Sequence, residues 1–181
     1  MVFIDDILIY SQTWQSHLEH LRLVFTALQH HKFYLKERKC VFGKKELSYL
    51  GHIISGNGVA TDPTKTDAML KWPKPLNVTD LRGFLGLTGY YRRFVQGYGA
   101  IARPLTRLLQ KGAFQWTSEA EMAFQRLKQA MVSTPVLALP DFNIPFVVET
   151  DACDDGVGAV LMQRGRPIAF LSKALGIKSQ K

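Results

Sequence analysis

Cysteine is scarce in this chain of 181 residues, which contains only Cys40 and Cys153. The two lie far apart and in no paired spacing, so the sequence supports neither a disulfide framework nor a cysteine-rich zinc site. Long apolar runs are also missing, since none approaches the roughly 18 residues needed to cross a membrane. The N-terminus shows no secretory signal pattern. We therefore expect an intracellular protein, cytoplasmic or nuclear, without a membrane partner.

Acidic residues are absent between Arg82 and Lys111, although the whole chain has 15 of them against 23 Lys and Arg, for a net charge of +8. The acid-free segment contains aromatic side chains among its arginines. A second basic cluster consists of Lys32, Lys36, Arg38, Lys39, Lys44 and Lys45. Basic residues mixed with aromatics are typical of a surface that follows phosphates, but a solvated basic face has the same composition.

The opening segment, MVFIDDILIYS, places two adjacent carboxylates in an apolar run. The β-branched and aromatic residues around Asp5 and Asp6 predict a buried strand, where unpaired charge is very costly. A turn at this point would bring both carboxylates to one side, and hard cations such as Mg²⁺ prefer oxygen ligands. Two interpretations remain open, a magnesium site and a solvated turn.

Hydrophobic periodicity and turn residues predict the regular elements. A first helix is expected with Ser16 and Glu19 as its capping box, and a small antiparallel hairpin is expected to end at residues 56–58. Further helices are predicted from Asp62 to Trp72, from Thr79 to Val95, from Ile101 to Leu109, and from Thr117 or Ser118 to Met131. Three strands follow, FVVETDA, GAVLMQ and RPIAFLS, with Asp154 and Asp155 in the first turn between them.

Several motifs along the chain resemble those of one family. The stretch FIDD at residues 3–6 is similar to the aromatic-x-Asp-Asp motif of reverse transcriptases, in the form found in gypsy-type long-terminal-repeat retrotransposons. YLGHII at 49–54 resembles their primer-grip hairpin, and KWPKP at 71–75 and LRGFLGLTGYYRRF at 81–94 resemble their thumb. The stretch at 150–161 resembles the first strands of their RNase H domain. The motifs are colinear over nearly the whole chain, which makes the resemblance specific.

The resemblance implies an α+β fold, a partial palm with a helical thumb followed by the first antiparallel strands of an RNase H-like domain. Residues 1–58 would be the C-terminal part of the palm with the primer-grip hairpin, and 59–112 the helical thumb. Residues 113–145 would be the connection, and 146–181 a truncated RNase H-like domain.

The resemblance also implies site residues and partners. Asp5 and Asp6 would be catalytic metal ligands of the polymerase, and Asp151 one carboxylate of an incomplete RNase H-like site. The implied cofactor is Mg²⁺, with Mn²⁺ as an alternative. The implied partners are an RNA/DNA template–primer duplex and the remainder of the same polyprotein. The residues expected to bind nucleic acid are Leu50, Gly51, His52, Arg82, Gly86, Tyr90 and Arg93.

Helical spacing supports part of this assignment independently. Arg82, Gly86, Tyr90 and Arg93 fall at i, i+4, i+8 and i+11 and so share one helix face. A duplex would approach the bare backbone at Gly86 while the arginines meet phosphates. The alternative is that the glycines at 83, 86 and 89 merely allow close helix packing.

The histidine pairs at 17/20 and 30/31 also have two interpretations, a zinc site or ordinary surface histidines. Neither pair has a cysteine nearby in the sequence, and surface histidines on a helix are far commoner than zinc ligands, which favours the surface interpretation.

The function predicted is that of a fragment of a retrotransposon RNA-directed DNA polymerase with RNase H. It would bind template–primer duplex and contribute part of a two-magnesium site. The family's other metal-binding aspartate lies upstream of the first motif, so we expect the isolated chain not to extend a primer. The alternatives are a non-catalytic nucleic-acid-binding module and an inert retrotransposon remnant.

Overall fold

The computed structural model describes residues 1–153 and 156–175. The chain divides into two compact units, Met1–Lys45 and the part from Glu46 onward. Helices and antiparallel sheets are mixed along it, which confirms the α+β class. The division at residues 58, 112 and 145 stays a prediction, and the turn residues Asp154 and Asp155 lie outside the described residues.

The first unit contains a two-stranded hairpin and one long helix. Its elements are β1 (Val2–Phe3), β2 (Asp6–Ile7), α1 (Trp14–His30) and a 3₁₀ turn (Glu37–Lys39). β1 and β2 pair antiparallel, with Phe3 opposite Asp6, so that Ile4 and Asp5 form the tip. This is the strand-turn-strand arrangement that the adjacent carboxylates predict.

The expectation that the opening strand is buried is wrong. Phe3 is 52% exposed and Ile4 is 85% exposed. Leu8 is the one buried hydrophobic residue in Met1–Lys45, all of which the structure describes. The reason is that α1 buries none of its residues, so the hairpin has no closely packed layer against it. Side chains of the two elements instead line an apolar cavity of about 370 Å³.

The second unit contains two three-stranded antiparallel sheets and four α-helices. The first sheet consists of β3 (Glu46–Tyr49), β4 (His52–Ser55) and β5 (Gly58–Thr61), one strand more than the predicted hairpin. The helices are α2 (Pro63–Leu70), α3 (Val78–Tyr90), α4 (Tyr98–Arg107) and α5 (Ser118–Val132). A 3₁₀ turn, Arg92–Phe94, follows α3. The second sheet has the order β6 (Val147–Cys153), β7 (Gly156–Gln163) and β8 (Arg166–Ala174).

Helix caps are the details that the sequence predicts least well. The predicted caps Asp62 of α2 and Thr117 of α5 are confirmed. In α1, however, Thr13 rather than Ser16 is the N-cap, and it forms the capping box with Ser16. In α3 the cap is Asn77, whose side-chain oxygen accepts the Asp80 N–H at 2.9 Å, and not Thr79. Helices α1 and α3 therefore begin two or three residues earlier than predicted, because an earlier side chain reaches an unpaired N–H of the first turn.

The core of the second unit lies among the helices, on the faces that the periodicity predicts. The buried set is Met69, Leu81, Phe84, Tyr91, Phe94, Val95, Ala102, Leu105, Leu108, Ala120, Ala123, Phe124, Leu127, Met131 and Leu137. Phe84 and Phe124 meet at its centre, with ring centroids 4.6 Å apart. Aromatic pairs of this kind add specific packing energy to the burial of their area.

One charged side chain is buried beside this core. Lys128 is 7% exposed, its Nζ donates to the Trp72 carbonyl oxygen at 2.5 Å and lies 4.4 Å from the Phe124 ring centroid. A carbonyl and an aromatic face are suitable partners for a cation removed from water. Lys128 thereby fixes the Pro-rich segment between α2 and α3 onto α5.

A short link joins the two sheets of the second unit. Val59 N–H donates to the Leu137 carbonyl at 2.8 Å, and Leu137 N–H returns the bond at 2.9 Å. Ala138 N–H then donates to the Pro167 carbonyl of β8 at 2.7 Å. Gly58 allows the Val59 pairing, since its φ is +137° and a Cβ built on it would overlap the Leu137 carbonyl oxygen. Consecutive residues of one segment thus bind β5 and β8.

The second sheet also packs on the helices. Gly99 N–H of α4 donates to Ser172 Oγ at 3.1 Å, and Phe170 contacts the core. β6 lies at the far edge of this sheet. Among the described residues, no helix has the length and apolar character needed to cross a membrane.

Candidate nucleic-acid interface

The turn between β3 and β4 has an unusual backbone. Leu50 and Gly51 both have positive φ, +50° and +73°, while Tyr49 and His52 pair across the hairpin. Two left-handed residues are typical of the two-residue turns that match the twist of a hairpin. Glycine adopts this conformation freely, but a leucine is strained there, so other contacts must stabilise the turn.

Two consecutive tyrosines supply those contacts. Tyr90 Oη donates to the Leu50 carbonyl at 2.7 Å, and Tyr91 Oη donates to the Gly51 carbonyl at 2.6 Å. Tyr90 is the last residue of α3 and Tyr91 is its C-cap, with φ −94° and ψ 8°. The end of α3 is therefore bonded to both residues of the turn.

His52 fills the space beneath the two tyrosines. Its ring stacks on Tyr90 at a centroid distance of 5.3 Å and an angle of 11°, and meets Tyr91 edge-on at 5.4 Å. It is only 8% exposed, and Nδ1 has no hydrogen-bond partner within the described chain. Burial, and secondly the positive charge of Arg93, lower the pKa of His52. The ring is thus neutral at pH 7 and packs within the protein, so its predicted contact with nucleic acid stays a prediction.

This packing predicts a pH-dependent stability. The rings of Tyr90, Tyr91 and Phe94 pack against His52, and the charge that acts on its ring is that of Arg93. Because the folded pKa of His52 is lowered, stability is complete above the ordinary value of 6.5 and falls as pH drops below it towards the folded value. Burial, and in addition the electrostatic effects of Tyr90 and Asp62, raise the pKa of Tyr91 to about 12. The free energy of unfolding therefore also falls as the pH rises from 10.

The measurement is the free energy of unfolding in urea from pH 5 to 11. We expect a plateau between about pH 7 and 9 and a decline on both sides. His52→Phe should remove most of the decline between pH 6.5 and 5. Tyr91→Phe should remove part of the alkaline decline, because burial also raises the pKa of Tyr98, which contributes to the same limb. Unchanged limbs in these two variants would show that other groups are responsible.

The exposed face of α3 carries three of the predicted binding residues. Arg82, Gly86 and Tyr90 are all exposed, Tyr90 by 53%. A Cβ built on Gly86 would meet no atom within 4 Å, so close helix packing does not explain this glycine. At Gly83 a Cβ would lie 3.4 Å from the Trp72 ring, which is an ordinary van der Waals contact, so packing does not require a glycine there either. Gly86 leaves a strip of bare backbone facing outward between an arginine and a tyrosine.

Arg93 does not continue this helix face. α3 ends at Tyr90, and Arg93 belongs to the following 3₁₀ turn, so the predicted i+11 relation to Arg82 does not apply. Arg92 and Arg93 are nevertheless both exposed, and the Arg93 guanidinium lies 5.4 Å from the Phe94 ring centroid. The two arginines extend the positive surface beyond the end of the helix.

Asp5 and Asp6 lie on the β1–β2 hairpin of the first unit. Both are exposed, Asp5 in the tip and Asp6 as the first residue of β2. Two adjacent exposed carboxylates at a tight turn are chemically suited to a hard divalent cation. The described residues contain no cluster of three or more His, Cys, Asp or Glu side chains able to hold a metal. The pair thus offers a metal ion two carboxylate ligands.

Asp151 lies in the second unit, on β6 opposite Gly158. It is exposed and, in the part of the chain that the structure describes, belongs to no group of three or more His, Cys, Asp or Glu side chains. Its predicted role in an RNase H-like site stays a prediction.

The histidine pairs fit the surface interpretation better than the zinc one. His17 and His20 of α1 each have Nδ1 within hydrogen-bond distance of Ser11 Oγ, at 3.2 and 2.8 Å. His30 and His31 form an edge-on pair 4.9 Å apart and are exposed. Neither pair is part of a three-ligand cluster among the described residues.

Two sequence-family models match this chain. The model described as reverse transcriptase (RNA-dependent DNA polymerase) matches residues 1–54, and that described as RNase H-like domain found in reverse transcriptase matches residues 116–181. The Pol polyprotein of transposon 297 from Drosophila melanogaster is 43% identical over 97% of the chain, and that of transposon gypsy, from the same species, is 37% identical over 96%. The chain belongs to the reverse transcriptases of gypsy-type retrotransposons.

The chain corresponds to a small part of those polyproteins. It spans 17% of the length of the transposon 297 Pol polyprotein and 18% of that of gypsy. A shorter relative is an uncharacterised mitochondrial protein of Arabidopsis thaliana, 55% identical over 72% of this chain and 84% of its own length.

Solved reverse transcriptase structures share the fold over the whole chain. The foamy viral protease-reverse transcriptase in complex with RNA/DNA hybrid superposes with a TM-score of 0.91, at 25% identity and over 25% of its own chain. A second structure of that enzyme, in complex with double-stranded DNA, gives a TM-score of 0.92 over 33% of its chain. The predicted palm and thumb elements therefore form a reverse transcriptase fold. Reverse transcriptases generally use a divalent metal, and the exposed Asp5–Asp6 pair is compatible with one.

Two structural features of this region were not predicted from the sequence. The Tyr91 hydroxyl bonds the turn at Gly51. Lys128 lies among the buried apolar positions of α5, although a lysine in a helix is ordinarily solvated. Two adjacent tyrosines at a helix end were the available signal, because buried tyrosine hydroxyls need polar partners.

Proposed function

We propose that this chain binds an RNA/DNA template–primer duplex on a surface of its second unit. We call this the duplex surface and define it by Leu50, Gly51, Arg82, Gly86, Tyr90, Arg92 and Arg93. The observation that carries the proposal is the open backbone at Gly86, next to exposed Arg82 and Tyr90 on α3. Two solved structures of similar fold are complexes, one with an RNA/DNA hybrid and the other with double-stranded DNA. They support a nucleic-acid duplex as the ligand class.

The chemistry of the surface suits a duplex minor groove. RNA-containing helices have a wide, shallow minor groove that displays sugars and 2′-hydroxyls. The absence of a side chain at Gly86 lets sugars approach the helix backbone, and the half-exposed Tyr90 ring offers an apolar face to them. Arginines on either side bind phosphates, which fixes position without reading sequence.

We infer further that Asp5 and Asp6 hold Mg²⁺ or Mn²⁺ as part of the polymerase site of the whole protein, which would make DNA on an RNA template. When bound, the ion would supply Lewis-acid stabilisation of phosphate oxygens. Asp151 would belong to a separate, RNase H-like site. Mn²⁺ should selectively broaden the NMR signals of residues 4–7, and Asp5→Asn with Asp6→Asn should abolish the effect. Broadening that persists in the double variant would argue against this site.

The duplex proposal is tested by titrating a fluorescent RNA/DNA hybrid with the chain at several salt concentrations. If three arginines bind phosphates, log K should fall against log salt with a slope of roughly −2 to −3. Single-stranded RNA of the same length should bind more weakly, because it lacks the groove that Gly86 would meet. Absence of binding at 50 mM salt, or no preference for duplex, would overturn the proposal.

We also propose that the chain acts inside the cell, in the cytoplasm or nucleus. Fractionation of cells that express it tests this, and its recovery only from the medium would count against the proposal.

A further inference from the structure

The hydrogen bonds from the end of α3 to the Leu50–Gly51 turn are all made to carbonyl oxygens. Both turn carbonyls, those of Leu50 and Gly51, accept a tyrosine hydroxyl, and Gly51 also accepts Asp62 N–H at 3.3 Å. Neither the Leu50 nor the Gly51 N–H donates to another group in the part of the chain that the structure describes. The oxygen atoms are therefore used internally, while the N–H groups are left for an external acceptor.

This division changes how the turn would meet nucleic acid. A carbonyl oxygen carries partial negative charge and repels a phosphate, whereas an N–H attracts it. Hydroxyl donors on both carbonyls offset that repulsion. They also hold Leu50 at a φ of +50°, which a leucine rarely adopts without support.

The packing of His52 makes the arrangement rigid. Its ring lies against both tyrosines and, at 5.4 Å, against Phe94. The Tyr90 and Tyr91 rings also meet edge-on at 4.9 Å. With these rings in contact, neither hydroxyl leaves its carbonyl without disturbing the other.

We propose that Tyr90 and Tyr91 are positioning residues whose hydroxyls fix the Leu50–Gly51 turn so that it presents N–H groups, and not carbonyl oxygens, to a duplex phosphate. This inference rests on the proposed function. Tyr91 acts entirely from within the protein, being 1% exposed. Tyr90 has two parts with different roles, a hydroxyl bonded to the turn and a ring that is open to the duplex.

The test is the double variant Tyr90→Phe with Tyr91→Phe, which keeps both rings and removes both donors. Duplex affinity should fall about tenfold, because the free turn is no longer held in its binding conformation and must be ordered on binding. The salt slope should stay unchanged because no phosphate-binding charge is removed. Hydrogen exchange of residues 49–52 should become faster even without nucleic acid.

Tyr98→Phe is the matched control. It removes a hydroxyl that bonds Thr88 Oγ1 at 3.0 Å in the same helical region and does not bond the turn. Its affinity and its exchange at residues 49–52 should equal those of the wild type. Unchanged affinity and exchange in the double variant would overturn the inference, as would a reduced salt slope. Failure of the wild type to bind duplex would overturn the proposed function, whereas faster exchange in the variant would still support the turn restraint.

A second measurement applies if the double variant does not fold. A Cβ built on Gly51 would lie 2.8 Å from Tyr91 Oη, so Gly51→Ala should displace that hydroxyl. In a Tyr91→Phe background this clash is absent, and Gly51→Ala should destabilise the protein less than it does in the wild type. Equal effects in the two backgrounds would show that the hydroxyl does not restrain the turn.

Discussion

Gly58→Ala is expected to destabilise the second unit by about 4 kcal/mol, through combined backbone strain and steric overlap. Gly58 has a φ of +137°, which an alanine rarely adopts, and a Cβ there would overlap the Leu137 carbonyl oxygen. Relief of the overlap requires Leu137 to move away from Val59, which breaks the two hydrogen bonds between them. Since domains of this size are stable by only about 5–15 kcal/mol, a large share of the free energy of unfolding would be lost and the variant should unfold at a much lower urea concentration.

Gly56→Ala is the control for this prediction. It lies two residues earlier in the same loop, and a Cβ there would meet no atom within 4 Å. Urea unfolding followed by circular dichroism should therefore give a midpoint close to that of the wild type. Equal midpoints for the Gly56 and Gly58 variants would contradict the close approach of Leu137 to β5.

Replacing Arg82, Arg92 and Arg93 together with alanine is expected to weaken duplex binding roughly 100-fold at low salt. All three side chains are exposed on the duplex surface. Loss of three phosphate contacts should also reduce the magnitude of the salt slope by about 2 to 3. The measurement is the same hybrid titration, performed from 50 to 200 mM salt.

The control changes the same charge at another place. Lys36, Arg38 and Lys39 are exposed in the first unit, and their joint replacement by alanine also removes three positive charges. Affinity should then fall only slightly, through the change in net charge. If both triple variants lost affinity equally, binding would depend on total charge and not on the duplex surface.

The sequence was most informative where one local pattern decides the structure. The stripe of α5 ends up buried because a 3.6-residue period admits one helix face, and the Asp5–Asp6 turn follows from two charges in a strand-forming run. The cap of α3 was misplaced because Asn77 and Thr79 both have capping side chains, and only geometry selects between them.

The candidate site was predictable in composition but not in arrangement. His52 was expected to contact nucleic acid because it lies in the motif that resembles the primer-grip hairpin, and its burial depends on tyrosines about 40 positions later in the chain. Periodicity contains no information about such distant pairs. The exposure of β1 was likewise unpredictable, since a strand-forming run does not specify which element will cover it.

The link formed by Leu137 and Ala138 has a mechanical consequence. Leu137 is bonded through both backbone groups to Val59, and its neighbour Ala138 is bonded to Pro167 of β8. Two consecutive residues span less than about 8 Å and cannot lengthen. A force applied to β8 is therefore transmitted directly to β5. From β5 it passes through β4 to the turn at Leu50 and Gly51. Under a mechanical load, the second sheet and the duplex surface should move together as one rigid body, without a hinge between them.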